Sequence, residues 1–254
     1  MNFFIKTIIT ATFLLTASRD IVMRHDVDEA NYLALGVKYG GSVVKLSAGN
    51  GTLIRPTWII SAAHVVNTDR IGNEVTIDGT VYKFKQKIIH PEFSKTRGGI
   101  GVDIALIELE SPVKDHEMAK LYMKSDEVGK EIIFAGTGWA GTGDKGMADG
   151  ATNKDRQLRA AQNRIEGTRE DGYIRFTFDA PESGKALPLE GISGPGDSGG
   201  PALWFDGDQA YILGVSSHQD GKGRGKPEGR YGVIEFYARV SQFSDWALKE
   251  MREK

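Results

Sequence analysis

The stretch Gly194-Pro195-Gly196-Asp197-Ser198-Gly199-Gly200-Pro201 decides how the rest of the chain is read. It sets one serine among glycines, with an aspartate immediately before it. A serine hydroxyl is a weak nucleophile and needs a base beside it and backbone donors around it. Glycines let the backbone turn tightly and bring N–H groups close to a reacting carbonyl. The same composition also describes a plain Gly-rich surface turn. The two readings part on whether the chain supplies a histidine and a carboxylate in matching settings.

Working outward, the chain has 254 residues, enough for one large domain or two small ones. Lys and Arg number 32 against 34 Asp and Glu, so the basic excess of a nucleic-acid binder is absent. There are 32 glycines, and together with short β-branched runs they point to an all-β chain with many turns. Residues 1–18 carry Lys6, then the apolar run Thr7–Leu15, then small residues to Ser18. This is the pattern of a cleaved secretory signal peptide, its apolar core being short for a membrane anchor. The chain lacks cysteine. An exported protein without disulfides fits a bacterial periplasmic or secreted setting, with no stable membrane insertion once the leader is cut.

Strand-like runs alternate with turn signals. Ser42–Leu46 is followed by Gly49-Asn50-Gly51, read as a hairpin turn, and Glu74–Ile77 and Val81–Phe84 flank Asp78-Gly79. Ile104–Leu109 is a strongly apolar strand. Further runs are Glu131–Phe134, Leu158–Ile165, Tyr173–Phe178, Pro201–Phe205, Ala210–Ser217 and Gly232–Val240, with residues 140–157 read as a long surface loop. Ser241–Lys254 reads as a terminal helix with Phe243, Trp246, Ala247 and Met251 on one face and Ser241 or Ser244 as its cap. Asp206-Gly207-Asp208 reads as a turn rather than a calcium loop, and no metal-ligand spacing or cofactor motif is present.

Five histidines are available as partners for Ser198. His64 follows an apolar strand in Trp58-Ile59-Ile60-Ser61-Ala62-Ala63-His64, and Asp103 opens the buried strand Asp103-Ile104-Ala105-Leu106-Ile107-Glu108-Leu109. A carboxylate there must be hydrogen-bonded or it destabilises the fold. These two blocks and Gly196–Pro201, in the order His, Asp, Ser, resemble the three active-site blocks of chymotrypsin-like serine proteases, the trypsin family. The likeness extends to His90-Pro91, Gly138-Trp139, Gly214–Ser217 and Tyr237–Val240 followed by Trp246, and so covers most of residues 21–250.

The resemblance implies two packed six-stranded antiparallel β-barrels, one over 19–124 with His64 and Asp103, the other over 125–254 with Ser198 and a C-terminal helix. It implies an endopeptidase acting on a protein or peptide substrate without a cofactor, as a monomer. Ser198 is then the nucleophile, His64 the general base, Asp103 its orienting carboxylate, and the Gly196 and Ser198 N–H groups the oxyanion hole. Ser217, His218 and Gln219 are expected along the substrate cleft. Where trypsin-like members carry a specificity aspartate this chain has Ile192, and where they carry a pocket-wall glycine it has Glu235, which faces the pocket as an acid if it points inward. Zymogen members insert a new N-terminus against the aspartate preceding the nucleophile. Here that aspartate is Asp197, and Ile21-Val22 is in position to insert, but Met23-Arg24 replace the usual glycines and Asp20 precedes Ile21. Arg24 or His25 is the alternative cation for Asp197. Two rival functions are an inactive binding module on this fold, disfavoured by the intact triad, and an esterase.

Overall fold

The structure is a computed structural model that describes residues 21–93, 102–147, 156–220 and 228–252. The leader of residues 1–18, the turn 98–101 and most of the basic run 222–230 lie outside them. The fold is mostly β, two barrels followed by a helix.

The first barrel is a six-stranded sheet in the order β2 (Val43–Leu46), β3 (Gly49–Arg55), β4 (Trp58–Ser61), β7 (Ala105–Leu109), β6 (Thr80–Ile89), β5 (Glu74–Ile77). Its centre is β4 against β7, with Ile59 opposite Ile107 and Ile60 opposite Leu106. All of β7 is buried, which is why that segment is apolar except at Glu108, whose carboxylate is paired with Lys85 at 2.8 Å. Each such aliphatic side chain contributes roughly 1.5–3 kcal/mol by leaving water. Asp78 and Gly79, at φ 48° and 77°, make the two-residue turn between β5 and β6 that their sequence signals. Gly49-Asn50-Gly51, in contrast, is no turn. Leu46 pairs with Gly49, so the chain reverses at Ser47-Ala48 and the three residues lie within β3. Their glycines answer to packing, since a Cβ on Gly49 would stand 2.6 Å from the Ser198 carbonyl oxygen and one on Gly51 2.5 Å from Ile59.

The second barrel carries eight strands, not six: β11 (Arg159–Arg164), β9 (Glu131–Gly136), β15 (Pro201–Asp206), β16 (Gln209–Asp220), β17 (Ile234–Arg239), β13 (Tyr173–Thr177) and β12 (Gly167–Arg169), with β8 (Lys120–Leu121) parallel to β16. Phe134, Phe176 and Tyr237 fill its interior, Phe134 stacked on Phe176 at 5.8 Å. Gly207, at φ 58°, turns β15 into β16, as the reading of Asp206–Asp208 requires.

A third, small sheet joins distant parts of the chain. β1 (Ile21–Met23) lies between β10 (Ala140–Thr142), to which it is parallel, and β14 (Gly191–Ile192). Ala140–Thr142 is thus a buried strand and not the start of a surface loop. A helix the sequence reading did not anticipate, α1 (Glu29–Tyr39), follows, capped by Asp28, whose Oδ1 accepts from the Ala30 N–H at 2.8 Å. It packs on the strand that opens with the buried Arg159, which pairs with Glu29.

The terminal helix α3 (Val240–Glu250) buries Phe243 and Ala247, with Met251 just beyond its end. Neither Ser241 nor Ser244 caps it. The Ser241 hydroxyl is taken by Glu127, a fully buried carboxylate that also holds Arg239 Nε at 2.9 Å and Nη2 at 2.8 Å. Burial raises the Glu127 pKa, but the Arg239 and Ser241 hydrogen bonds outweigh it and hold the carboxyl below its ordinary range. A charge-assisted acceptor is a stronger partner for a hydroxyl than a helix N–H.

Candidate active site

His64 is the second residue of α2 (Ala63–Val66), the single turn that follows β4. Asp103 stands just before β7, and because β4 and β7 are paired the two residues emerge side by side. The Asp103 carboxylate accepts three hydrogen bonds: from the His64 N–H at 2.9 Å, from His64 Nδ1 at 2.7 Å and from the Ser217 hydroxyl at 2.6 Å. Asp103 is 1% exposed. Burial pushes its pKa up, but the hydrogen bonds from His64 and Ser217 and the attraction of His64 prevail and keep it below the usual carboxylate range. An ionised Asp103 accepts at Nδ1, so the imidazole carries its proton there and Nε2 keeps a free lone pair.

Ser198 reaches this place across the barrels. Its carbonyl accepts from the Asn50 N–H at 2.8 Å, and Gly49 packs between that carbonyl and Val65, the neighbour of His64. Asn50 does more: its Nδ2 donates to Gly196 O at 2.9 Å, its Oδ1 accepts from Thr137, and its carbonyl accepts from Ser61. Among the described residues the Ser198 hydroxyl and the Gly196 and Ser198 N–H groups have no protein partner, so two backbone donors and a hydroxyl oxygen remain available at one turn.

The glycines of the turn are now accounted for. Gly196 and Gly199 have φ 97° and 81°, where an L side chain is strained. A Cβ on Gly199 would also stand 2.2 Å from Asn50 O and 2.3 Å from Ser61 Oγ. Gly199→Ala is therefore expected to destabilise the fold by about 3 kcal/mol or more, read as the shift of a urea unfolding midpoint; an unmoved midpoint would refute this packing.

Asp197 points away from the cleft, into the second barrel. Its Oδ1 accepts from the Gly138 N–H at 2.6 Å and its Oδ2 from the Gly194 N–H at 2.7 Å. A Cβ on Gly136 or Gly138 would fall within 2.7 Å of this side chain, which explains the glycines on both sides of Thr137. Burial raises the Asp197 pKa to about 6 against the opposing backbone hydrogen bonds. Neither expected cation reaches it. Arg24 pairs with Asp26 and donates to Leu187 O, and His25 contacts the Tyr231 hydroxyl. Both follow β1 directly, and its pairing with β10 and β14 directs them to the outer side. Ile21 heads that strand, at φ 62°, an uncommon setting for a β-branched residue.

Beside Ser198 lies a cavity of about 280 Å³, lined by Ser193, Ser216, Ser217, His218, Gln219 and Glu235 among others. Glu235 is fully buried and accepts from the Ser193 N–H at 2.7 Å and from its hydroxyl. Burial, countered only in part by Ser193, raises its pKa to about 8. His218 stacks on Phe236 at 4.9 Å and meets the edge of Tyr173. Burial and, next, the charge of Arg169 lower its pKa to about 4, so it is neutral near pH 7. Ile192 does not line the cavity. It is fully buried in the second core, paired with Val22 in the small sheet. Its neighbour Ser193 takes the place expected of it, because alternate residues of an extended chain face opposite ways. Ser193, Ser216 and Asn50 were not singled out as site residues from the sequence; the adjacency of Ser193 to Ile192 and the place of Ser216 in the Gly214–Ser217 block were the only signals.

Two β-barrels that meet at a histidine-bonded aspartate and a glycine-set serine define a class of hydrolase-like architecture. The trypsin family model matches residues 36–247, and the chain belongs to that family. An uncharacterized peptidase of Corynebacterium glutamicum strain R is 27% identical over 212 residues, which cover 81% of this chain and 66% of the relative. The rat complement C1s subcomponent is 27% identical over 235 residues, 81% of this chain and 32% of that protein. The chain thus spans less than two thirds of the length of the curated relatives it matches.

Proposed function

We propose that the protein is a serine endopeptidase. The observation that carries the reading is the three-donor Asp103 carboxylate, which fixes His64 in the tautomer a general base needs, with the Ser198 backbone held against the helix that bears His64. Ser198 Oγ adds to the substrate carbonyl carbon as its proton passes to His64 Nε2. The imidazolium returns that proton to the leaving amine as the C–N bond breaks, and water then releases the acyl group by the same steps. The unused N–H groups of Gly196 and Ser198 receive the oxyanion, each donor supporting about 3 kcal/mol of transition-state stabilisation. Ser217 is a positioning residue that steadies Asp103. The test is labelling with a fluorophosphonate probe: a mass shift on Ser198 alone is expected, and a protein left unlabelled both intact and when its chain starts at Ile21 sinks the reading in favour of a binding module. Hydrolysis of esters but not of peptides by a labelled protein would favour an esterase.

The cavity supports a preference for a basic residue before the scissile bond. Its buried acid, Glu235, is protonated near pH 7 in the empty pocket and ionises to pair with a guest cation. Ionised Glu235 is the form that pairs, so the Arg/Leu ratio of kcat/KM is expected to rise about tenfold per pH unit below pH 8 and to level off above it, since the catalytic groups act on both substrates alike and cancel in the ratio. A ratio that does not change with pH, or Arg turned over no faster than Leu, counts against an acidic pocket.

Export is proposed on the leader of residues 1–18, and no helix among the described residues is long and apolar enough to cross a membrane. Activation by a cut before Ile21 gains support from its backbone. A positive φ there exists only while Asp20 precedes it, so the cut removes about 1–3 kcal/mol of strain and frees an ammonium two residues along the sheet from the segment that holds Asp197. N-terminal sequencing of active protein decides this, since a start upstream of Ile21 removes the insertion model.

A further inference from the structure

We propose that Gln219 bars the pocket beside Ser198 in the unliganded enzyme, and that a substrate side chain must be long enough to displace it to bind there. Gln219 lies on β16, where the expected role was simply to line the cleft. Its side chain instead spans between two other segments. Nε2 donates to Ser193 O at 2.6 Å, and Oε1 accepts from the Gly229 N–H at 3.2 Å. Ser193 precedes the nucleophile turn and Gly229 precedes β17, so the carboxamide ties the chain on one side of the cavity to the chain on the other. The Ser193 peptide is held from both ends: its N–H goes to Glu235 and its carbonyl to Gln219. The bar therefore crosses the route to Glu235.

The polar groups that line this cavity include the carboxyls of Glu235 and Glu228 and the hydroxyls of Ser193 and Ser216, whose oxygens lie 3.2 Å apart, with the Ser193 carbonyl among them as an acceptor. No lysine or arginine is among the described residues that line it. The Gln219 amide N–H thus occupies an acceptor that a guest donor would otherwise take. A short side chain such as alanine stops before the bar and leaves both bonds intact. A long one must break them. An arginine guanidinium replaces the lost donor at Ser193 O and adds charge-assisted bonds to Glu235. A leucine that displaces the bar returns nothing and leaves the acceptor unpaired. Gln219 is thereby a specificity-determining residue that charges every long side chain the same opening cost, while Glu235 decides which of them recover it.

This inference rests on the pocket reading above, and the experiment separates the two. Wild type, Gln219→Ala and Glu235→Gln, each titrated by fluorophosphonate for active sites, are compared on peptides with Arg, Leu or Ala before the scissile bond. Gln219→Ala is expected to raise the Arg/Ala and Leu/Ala ratios of kcat/KM together by about fivefold or more, the low end for two displaced hydrogen bonds, through KM. Glu235→Gln is expected to lower the Arg/Leu ratio by tenfold or more and to leave the response to Gln219→Ala in the Leu/Ala ratio intact when the two are combined. If Gln219→Ala leaves both ratios where they are, or lowers the Arg/Ala ratio, Gln219 is a fixed wall and the bar is wrong. If Gln219→Ala acts as stated while Glu235→Gln leaves Arg/Leu unchanged, the bar stands and the acidic preference falls.

Discussion

Ser198→Ala is expected to lower kcat for peptide hydrolysis by about 10⁶-fold, with thermal unfolding within about 0.5 kcal/mol of the parent. The size of the loss follows from the loss of the attacking oxygen, without which His64 has no proton to take. The absence of a stability effect follows from what the hydroxyl touches. Among the described residues it makes no hydrogen bond, whereas the Ser198 carbonyl that Asn50 grips is backbone and survives the substitution. Residual turnover above the rate in water should remain, since the N–H groups of Gly196 and residue 198 are still there. Steady-state assays beside calorimetry check both halves. Retained activity above about a thousandth of the parent would remove Ser198 from the mechanism.

Asp103→Asn is expected to cost about 10⁴-fold in kcat near neutral pH, and the hydrogen bonds explain why so small a change does so much. The carboxylate offers only acceptors to three donors: Oδ1 to the His64 N–H, Oδ2 to His64 Nδ1 and Ser217. An asparagine has one oxygen and one NH₂. With the NH₂ at the Oδ1 position it faces the His64 backbone N–H, two donors in a site 1% exposed, at about 1–3 kcal/mol. With the NH₂ at the Oδ2 position it faces Nδ1, and the imidazole accepts there by moving its own proton to Nε2. A protonated Nε2 cannot take the Ser198 proton. The two outcomes are separable, because imidazole nitrogen NMR reads the tautomer directly. Full activity with Nδ1 still protonated would show that Asp103 orients nothing.

The three chemical blocks were legible in the sequence because each sits beside a feature that is itself readable. His64 follows an apolar strand, Asp103 opens a strongly apolar one, and Ser198 is set in glycines. The Asp78-Gly79 turn was legible for a local reason, the positive φ that both residues tolerate. Long-range reasons were not. Glycines at 49 and 51 look like a turn, yet they serve contacts with Ser198 and with Ile59. A glycine signals that a Cβ is unwelcome without saying whether φ or a neighbour forbids it. The misplacement of Ile192 has a different origin. Its side chain and that of Ser193 differ by one step along an extended backbone, and the family pattern fixes the segment more firmly than which residue faces the cavity. Arg24 and His25 were plausible partners for Asp197 by charge, but the direction in which β1 releases them is a property of sheet pairing.

Asn50 has a consequence for how the molecule fails. It belongs to one barrel, and its four hydrogen bonds reach Ser61 in that barrel and Thr137, Gly196 and Ser198 across the seam. Two of those bonds, to Gly196 and Ser198, therefore tie the halves together and frame the Ser198 turn at once. The apolar core also crosses the seam, running from Ile60 and Leu106 into Leu203 and Val215. A shift of one barrel on the other disturbs the turn and this shared core together, so turnover and the integrity of the seam are expected to fail as one event.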